Sequence, residues 1–323
     1  MSSDAILIVA ALTAFALSAL LSAAALPALK KLKAAQTVLG YVEKHAKKSG
    51  TPTMGGIAFV LATAIVVFVF CDSHVAKVAA GAMLGFGLIG FLDDAIKVLF
   101  RRNLGLKAYQ KIVGQAGVTA IMVVYGYRQG GGTVAHIPFA GMDVDLGVWY
   151  IPLAALAYLG TVNCVNLTDG LDGLAAGTGT VYFAVMGVIC TMTAATTAAD
   201  GDLALMSFVL AGALTAFLWF NSNPARMFMG DTGSLALGGA AASVSILSHN
   251  IFLIPLVGIM YVVSGISVIV QVVSFKLTGK RVFAMAPFHH HLEYRGVKES
   301  KIVAEYTIVT AVAGALGLLS AAM

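Results

Sequence analysis

Residues 5–29 read AILIVAALTAFALSALLSAAALPAL, an uninterrupted uncharged run that is followed at once by Lys30, Lys31 and Lys33. A run of that length is what a helix needs to cross a hydrocarbon layer about 30 Å thick. Its basic residues come after it rather than before it, the reverse of a cleaved leader, so it is expected to remain as a first transmembrane helix. Ala, Leu and Val dominate it and the stretches like it. None shows the ten-residue alternation of a membrane barrel, so the spans read as helices.

The rest of the chain is of the same kind. Hydrophobic residues make up 59% of it and charged residues 11%, with a mean hydropathy of +0.91. A soluble globule carries roughly a quarter charged residues, so the composition excludes one and predicts an all-α integral membrane protein. Residues 1–323 read as a single polytopic domain, with membrane lipid as its surroundings and no nucleic acid as a partner. Cys71, Cys164 and Cys190 show no pair spacing, which predicts neither a disulfide framework nor a cysteine metal site.

Ten spans are predicted, at about 5–29, 54–70, 78–96, 111–128, 148–165, 174–197, 203–220, 234–249, 252–275 and 303–322. Alternating sides puts every Lys and Arg except Lys77 and Arg128 on one face. By the positive-inside rule that face is cytoplasmic and both termini lie outside. The net charge of +5 is therefore a topology charge, suited also to an anionic substrate or lipid headgroup. Residues 129–147 hold the run Gly130-Gly131-Gly132 and an alternating Val144/Leu146 pattern, which predicts a small hairpin.

Five polar segments interrupt the spans, all on the predicted cytoplasmic face. Asp93 and Asp94 end span three. On a helix adjacent side chains point about 100° apart, so one can hold a cation while the other takes a proton; solvation, or a salt bridge to Lys97 or Arg101, is the structural alternative. Asn166-Leu167-Thr168-Asp169-Gly170-Leu171-Asp172-Gly173 precedes a new helix, whose free N–H groups attract phosphate or a base carbonyl while its glycines admit a ligand to the backbone. Capping accounts for one of those polar residues but not for the set. Residues 221–234, NSNPARMFMGDTGS, place Asp231 as a hard-cation ligand, Phe228 as a stacking surface and Asn221 as a hydrogen-bond partner, against a capped turn as the alternative. His289, His290 and His291 lie in the last basic loop. Consecutive histidines cannot all face one ion from a helix, so phosphate contact is favoured over zinc. Lys48 and the glycines after it open span two, and Gln271 lies a turn from the end of span nine.

Together these segments resemble the polyprenyl-phosphate hexose-1-phosphate transferases over residues 48–293. Gly50-Thr51-Pro52-Thr53-Met54-Gly55-Gly56, the Asp-Asp pair, the Asn166–Gly173 segment and Gly230-Asp231-Thr232-Gly233-Ser234 all match the family pattern. Pro287-Phe288-His289-His290-His291-Leu292-Glu293 resembles the branch that moves a muramoyl donor rather than its relatives that move N-acetylglucosamine-1-phosphate.

The resemblance implies ten transmembrane helices in a bacterial inner membrane, with the active-site cleft facing the cytoplasm. It implies transfer of phospho-MurNAc-pentapeptide from UDP-MurNAc-pentapeptide to undecaprenyl phosphate, giving lipid I and UMP, with Mg²⁺; this is the first membrane step of peptidoglycan synthesis. The alternative within the same chemistry is a related UDP-N-acetylhexosamine sugar-1-phosphate transfer. By the same resemblance Asp231 is the main Mg²⁺ ligand with Asp94 nearby, and Asp93 is the base on the lipid phosphate. Lys48, Gly170, Leu171, Asp172, Asn221 and Phe228 hold the uridine. Asn166, Asp169, Lys111, Gln271 and His289 to His291 contact the diphosphate, sugar or lipid phosphate. A homodimer is compatible with the family. A transporter, the competing class, needs an ionisable group near the bilayer midplane, and here the charged residues stop at one face.

Overall fold

The computed structural model describes residues 3–32, 50–100, 102, 104–129, 131–193 and 198–323. The described chain is helical apart from one hairpin. Long helices run at α1 (Ser3–Lys31), α2 (Gly56–Phe70), α3 (His74–Leu99), α4 (Ala108–Arg128), α5 (Tyr150–Thr168), α6 (Leu174–Thr193), α7 (Ala198–Asn221) and α8 (Gly230–Leu247). After these come a short α9 (Ile254–Val257), then α10 (Ile259–Thr278), α11 (Phe288–Tyr294) and α12 (Glu299–Ala321). The predicted hairpin is present as β1 (Val134–Ile137) and β2 (Met142–Asp145), antiparallel, with Val134 opposite Asp145 and Ile137 opposite Met142.

Seven helices among the described residues are long and apolar enough to cross a membrane: α1, α3, α5 with the turn before it, α6, α7, α10 and α12. The other three predicted spans fall on α2, α4 and α8. At 15 residues, α2 rises only about 22 Å, short of a bilayer core. The case of α8 is different. Leu235, Ala236, Leu237, Ala240, Ala241 and Ala242 are fully buried, as are Ser234, Ser243 and Ser245. It packs against α3, α5 and α2, so its neighbours are protein and it needs small residues more than greasy ones.

Close approach between α3 and α8 positions the site. Gly90 on α3 lies so near the Asp231 carbonyl that a Cβ there would collide with the α8 backbone. The Gly50–Gly56 segment joins the same seam: the Phe228 amide donates to the Pro52 carbonyl at 2.8 Å, and the Gly55 and Gly56 amides donate to Phe228 and Met229 carbonyls at 2.9 Å each.

Two predicted boundaries are corrected. The span at 252–275 is not one helix. A 3-10 turn at Ile251–Leu253 and α9 precede α10, and the break lies at Gly258, just after Pro255 at the start of α9. Residues Asn166 to Thr168 are the last turn of α5 rather than a loop; only Asp169 to Gly173 form the connection to α6.

Candidate active site

Two helix ends and two helix starts meet around one group of carboxylates. Asp93 and Asp94 come from the last turns of α3, and both are 2% exposed. Asp231 comes from the first turn of α8. The adjacent aspartates do diverge. Asp94 Oδ2 crosses to α8, accepting from the Thr232 amide at 2.9 Å and the Thr232 hydroxyl at 2.8 Å. Asp93 Oδ1 turns the other way and accepts from the Leu106 amide at 2.8 Å. Each therefore spends one oxygen on fixing backbone and keeps one for the cluster.

Lys97 Nζ sits at the focus, 2.5 Å from Asp93 Oδ2, 2.8 Å from Asp231 Oδ2 and 3.7 Å from Asp94 Oδ1. The salt bridge weighed from sequence thus exists, but it binds the whole cluster rather than explaining Asp93 and Asp94 away. Lys111, at the start of α4, donates to Asp231 Oδ2 at 3.0 Å. Asn166 Nδ2, from the end of α5, donates to Asp231 Oδ1 and to Ser234 Oγ, each at 2.8 Å.

One ligand oxygen from each of Asp93, Asp94 and Asp231 lies within 4.8 Å of the others. Oxygen-only donors on a partly exposed rim suit a hard divalent ion, and Mg²⁺ characteristically keeps one or two carboxylates and completes its shell with water and substrate phosphate. The residues fit the metal that the sequence implied. Lys97 marks the same spot as one that attracts positive charge.

Beside the cluster lies a cavity of about 310 Å³, lined by Thr53, Asp94, Lys97, Asn166, Asp169, Gly170, Leu171, Asp172, Asn221, Phe228, Gly230, Asp231 and His290. That volume is in the range of small-ligand sites. Asp169 accepts no hydrogen bond there from the described residues. Burial, followed by the like charges of Asp231, Asp94 and Asp172, holds its carboxyl well above the usual carboxylate range.

Several residues read as ligand contacts are also busy with the fold. Asn221, 2% exposed, accepts from the Gly173 amide at 3.2 Å and donates to the Met227 carbonyl at 3.0 Å, tying the two loops together. Asp172 Oδ2 accepts from Asn223 Nδ2 at 3.1 Å and the Ala225 amide at 3.0 Å. Glu299, in the first turn of α12, accepts from the Asp172 amide at 2.7 Å and from Asn223 Nδ2 at 3.0 Å.

The three histidines stand on α11, where the 100° step sends them into three surroundings. His290 reaches the cavity, its Nδ1 3.2 Å from Glu293 Oε2. His291 accepts from the Ala284 amide at 3.1 Å and stacks on Phe288. His289 is fully buried, with both ring nitrogens unpaired and Nε2 against Gly170. Burial, then the neighbouring His290, push its pKa down to about 3 against the pull of Glu293.

Of the remaining predicted contacts, one cannot be placed and one falls elsewhere. Lys48 lies outside the described residues. Gln271 lines a different cavity of about 570 Å³, and its amide is used by the chain itself: Oε1 accepts from Val282 and Phe283 amides and Nε2 donates to the Phe283 carbonyl. Sequence reasoning passed over Thr53, Thr232, Asn223 and Glu299. Thr232 had a signal, since it follows Asp231 directly. Glu299 had none, because its partner Asp172 is 127 positions away.

Comparison with known proteins agrees with this geometry. The glycosyl transferase family 4 pattern matches residues 76–249, which include the carboxylate cluster. The phospho-N-acetylmuramoyl-pentapeptide-transferase signature 1 matches residues 48–60. The phospho-N-acetylmuramoyl-pentapeptide-transferase of Thermoanaerobacter sp. (strain X514) is 48% identical over 318 residues, covering 97% of this chain and 98% of the relative. Those of Caldanaerobacter subterraneus subsp. tengcongensis and Clostridium perfringens (strain SM101 / Type A) are 47% and 43% identical, covering 89% and 95% of this chain and 90% and 94% of themselves. Similarity of that degree, running almost from end to end through every segment that builds the cluster, means that the chain belongs to the phospho-N-acetylmuramoyl-pentapeptide-transferase family.

Proposed function

We propose that the protein transfers phospho-MurNAc-pentapeptide from UDP-MurNAc-pentapeptide to undecaprenyl phosphate, releasing UMP and forming lipid I, with Mg²⁺ as its metal. The observation that carries the reading is the convergence of Asp93, Asp94, Asp231, Lys97 and Lys111 beside the cavity closed by the Asp169–Gly173 turn. Two phosphates that repel must be brought together in this reaction, so positioned charge matters more than covalent chemistry.

In this reading Asp231 and Asp94 hold the metal, which supplies charge neutralisation on the diphosphate when bound. Lys97 and Lys111, held by Asp231, are placed to meet phosphate oxygens. Asp93 Oδ2 faces into the cluster and serves as the base on the acceptor phosphate. Gly170, Leu171, Asp172, Asn221 and Phe228 line the nucleotide's side of the cavity, with Lys48 assigned to the same group. Asn166, Asp169 and His290 face the diphosphate and sugar.

For the prenyl tail we propose the apolar groove of about 420 Å³ between α5 and the α9–α10 break, lined by Leu153, Leu156, Gly160, Cys164, Pro255 and Ile266 among others. Its lining along α5 runs from Leu153 to Cys164, two positions before Asn166. Gly160 has open space where a Cβ would stand. Gly160→Leu should raise the KM for the polyprenyl phosphate about tenfold and leave that for the nucleotide unchanged; equal effects on both would sink the assignment.

We further propose that all ten predicted spans cross the inner membrane, with both termini outside and the cavity at the cytoplasmic face. Support comes from the asymmetric Lys and Arg distribution and from nine of the predicted spans each falling on one helix, the span at 252–275 falling on α9 and α10 with a break between them. The expected homodimer would have twice the 33.3 kDa chain mass. The deciding experiment is UMP release by purified protein, with and without Mg²⁺, comparing UDP-MurNAc-pentapeptide with UDP-GlcNAc. Metal-dependent turnover of the muramoyl donor alone is expected, while turnover of UDP-GlcNAc moves the chain to the sister activity.

A further inference from the structure

We propose that Gln115 and Asn163 form an amide clasp between α4 and α5 that sets Lys111 and Asn166 on the two oxygens of Asp231, making both of them positioning residues for the transfer; this rests on the function proposed above. The starting observation is how lightly α4 is held. Its buried residues are Gln115, Thr119, Met122, Val123 and Gly126, so none of residues 108–114 is among them. Lys111 belongs to that outlying first part of the helix, yet its ammonium lies 3.0 Å from Asp231 Oδ2.

Gln115 is the first buried residue of α4 and is fully buried. It lies four positions after Lys111, on the same face of the helix one turn on. Across the seam Asn163 lies three positions before Asn166, again on the same face. Asn163 Nδ2 donates to Gln115 Oε1 at 2.7 Å and to the Leu159 carbonyl at 2.8 Å, and Gln115 Nε2 answers toward Asn163 Oδ1 at 3.5 Å. The clasp therefore sits one turn behind Lys111 and Asn166, which join Lys97 in donating to Asp231. Among the described residues it provides the side-chain hydrogen bonds that join α4 to α5.

An apolar pair would fill the same space but would tolerate sliding of one helix along the other. Two amides matched donor to acceptor do not, because a shift leaves buried polar groups unpaired. The pair is thus a device for register, and it fixes the first turns of α4 from behind while the Leu106 amide on Asp93 holds the chain in front of them.

The test uses the full-length protein in lipid nanodiscs, with kcat and KM measured by UMP release and Tm measured for each variant. Gln115→Met keeps the volume and removes the amide. We expect kcat to fall by ~10- to 100-fold with KM for the UDP donor within about threefold, since a misplacement of an ångström is worth that much. The exchange Gln115→Asn with Asn163→Gln restores the pair and should recover most of kcat. Because the clasp acts in part through Lys111, adding Gln115→Met to Lys111→Met should cost less than Gln115→Met costs the wild type, the remainder falling on Asn166. Losses that multiply in that double variant, or kcat losses that follow Tm down and are not recovered by the exchange, would overturn the proposal. If Gln115→Met does not fold, Asn163→Leu and the exchange carry the comparison. An active wild type with an unaffected Gln115→Met refutes the clasp alone; an inactive wild type refutes the proposed function beneath it.

Discussion

Asp231→Asn separates the role of this carboxylate in the fold from its role in the reaction. The substitution keeps shape, and the new amide oxygen can still accept from Asn166. What it removes is charge: the pairs with Lys97 at 2.8 Å and Lys111 at 3.0 Å. At an effective dielectric of about 20 those two attractions amount to roughly 11 kcal/mol. It also removes two repulsions, from Asp93 and Asp94, whose oxygens lie within 4.8 Å; at the same dielectric these come to at least about 7 kcal/mol. The remaining difference of about 4 kcal/mol is cut further because the neutral side chain no longer has to be desolvated as an ion. The fold should therefore survive, with Tm lowered by less than about 10 °C. Turnover should not survive. Loss of a group that neutralises developing charge costs on the order of 10³-fold, and here a proposed metal ligand goes with it. The assay is UMP release together with thermal unfolding at rising Mg²⁺, where the wild type should gain about 2.7 kcal/mol at a hundred times its Kd and the variant nothing. A variant that turns over within tenfold of wild type, or keeps the full Mg²⁺-induced rise in Tm, would refute the reasoning.

Two further outcomes follow from neighbouring residues. Gly170→Ala places a methyl group against His289 Nε2 in a region with no room to yield, so the turn must move; the KM for the UDP donor should rise at least ~10-fold, and an unchanged KM would show that the turn does not touch the nucleotide. His289 is held neutral, with its pKa pushed down to about 3 from an ordinary 6.5. Between those values the unfolded chain binds the proton and the folded chain does not, so stability rises with pH across this window. Acidification from pH 7 to 4 should cost the wild type a few kcal/mol that His289→Gln does not lose, as read by chemical denaturation at each pH; parallel curves for the two proteins would rule the effect out.

Much of this site was legible because its chemistry is local. The Asn166–Gly173 segment and the Gly230–Ser234 segment concentrate polar residues and glycines between apolar runs, and in a membrane chain such a contrast is loud. That Asp93 and Asp94 point apart could be expected from the helix period alone, and their separate partners Leu106 and Thr232 show that they do. What stayed hidden depends on pairings that no local pattern encodes. Glu299 holds the Asp169–Gly173 turn from 127 positions away, and Gln115 looks in sequence like any polar residue near a helix start. Gln271 was misplaced for the opposite reason. Its position on the helix was read well enough, but its amide is consumed by the backbone of residues 282 and 283.

The same contrast explains why α8 escaped the usual hydropathy signal. A helix facing lipid must be apolar all along that face, whereas a helix walled by other helices needs backbones that approach closely. The α8 sequence, with Gly233, Gly238 and Gly239 among Ser and Ala, is of the second kind, and its burial from Thr232 to Ile246 bears that out. The price of such closeness is lost apolar bulk, and what it gains is placement. With Gly90 pressed on its backbone and Asp94 holding the Thr232 amide, the first turn of α8 has its position set by α3. Asp231 therefore stands at the start of a helix buried from Thr232 to Ile246, while Lys111 belongs to the first turns of α4, none of whose residues before Gln115 is buried.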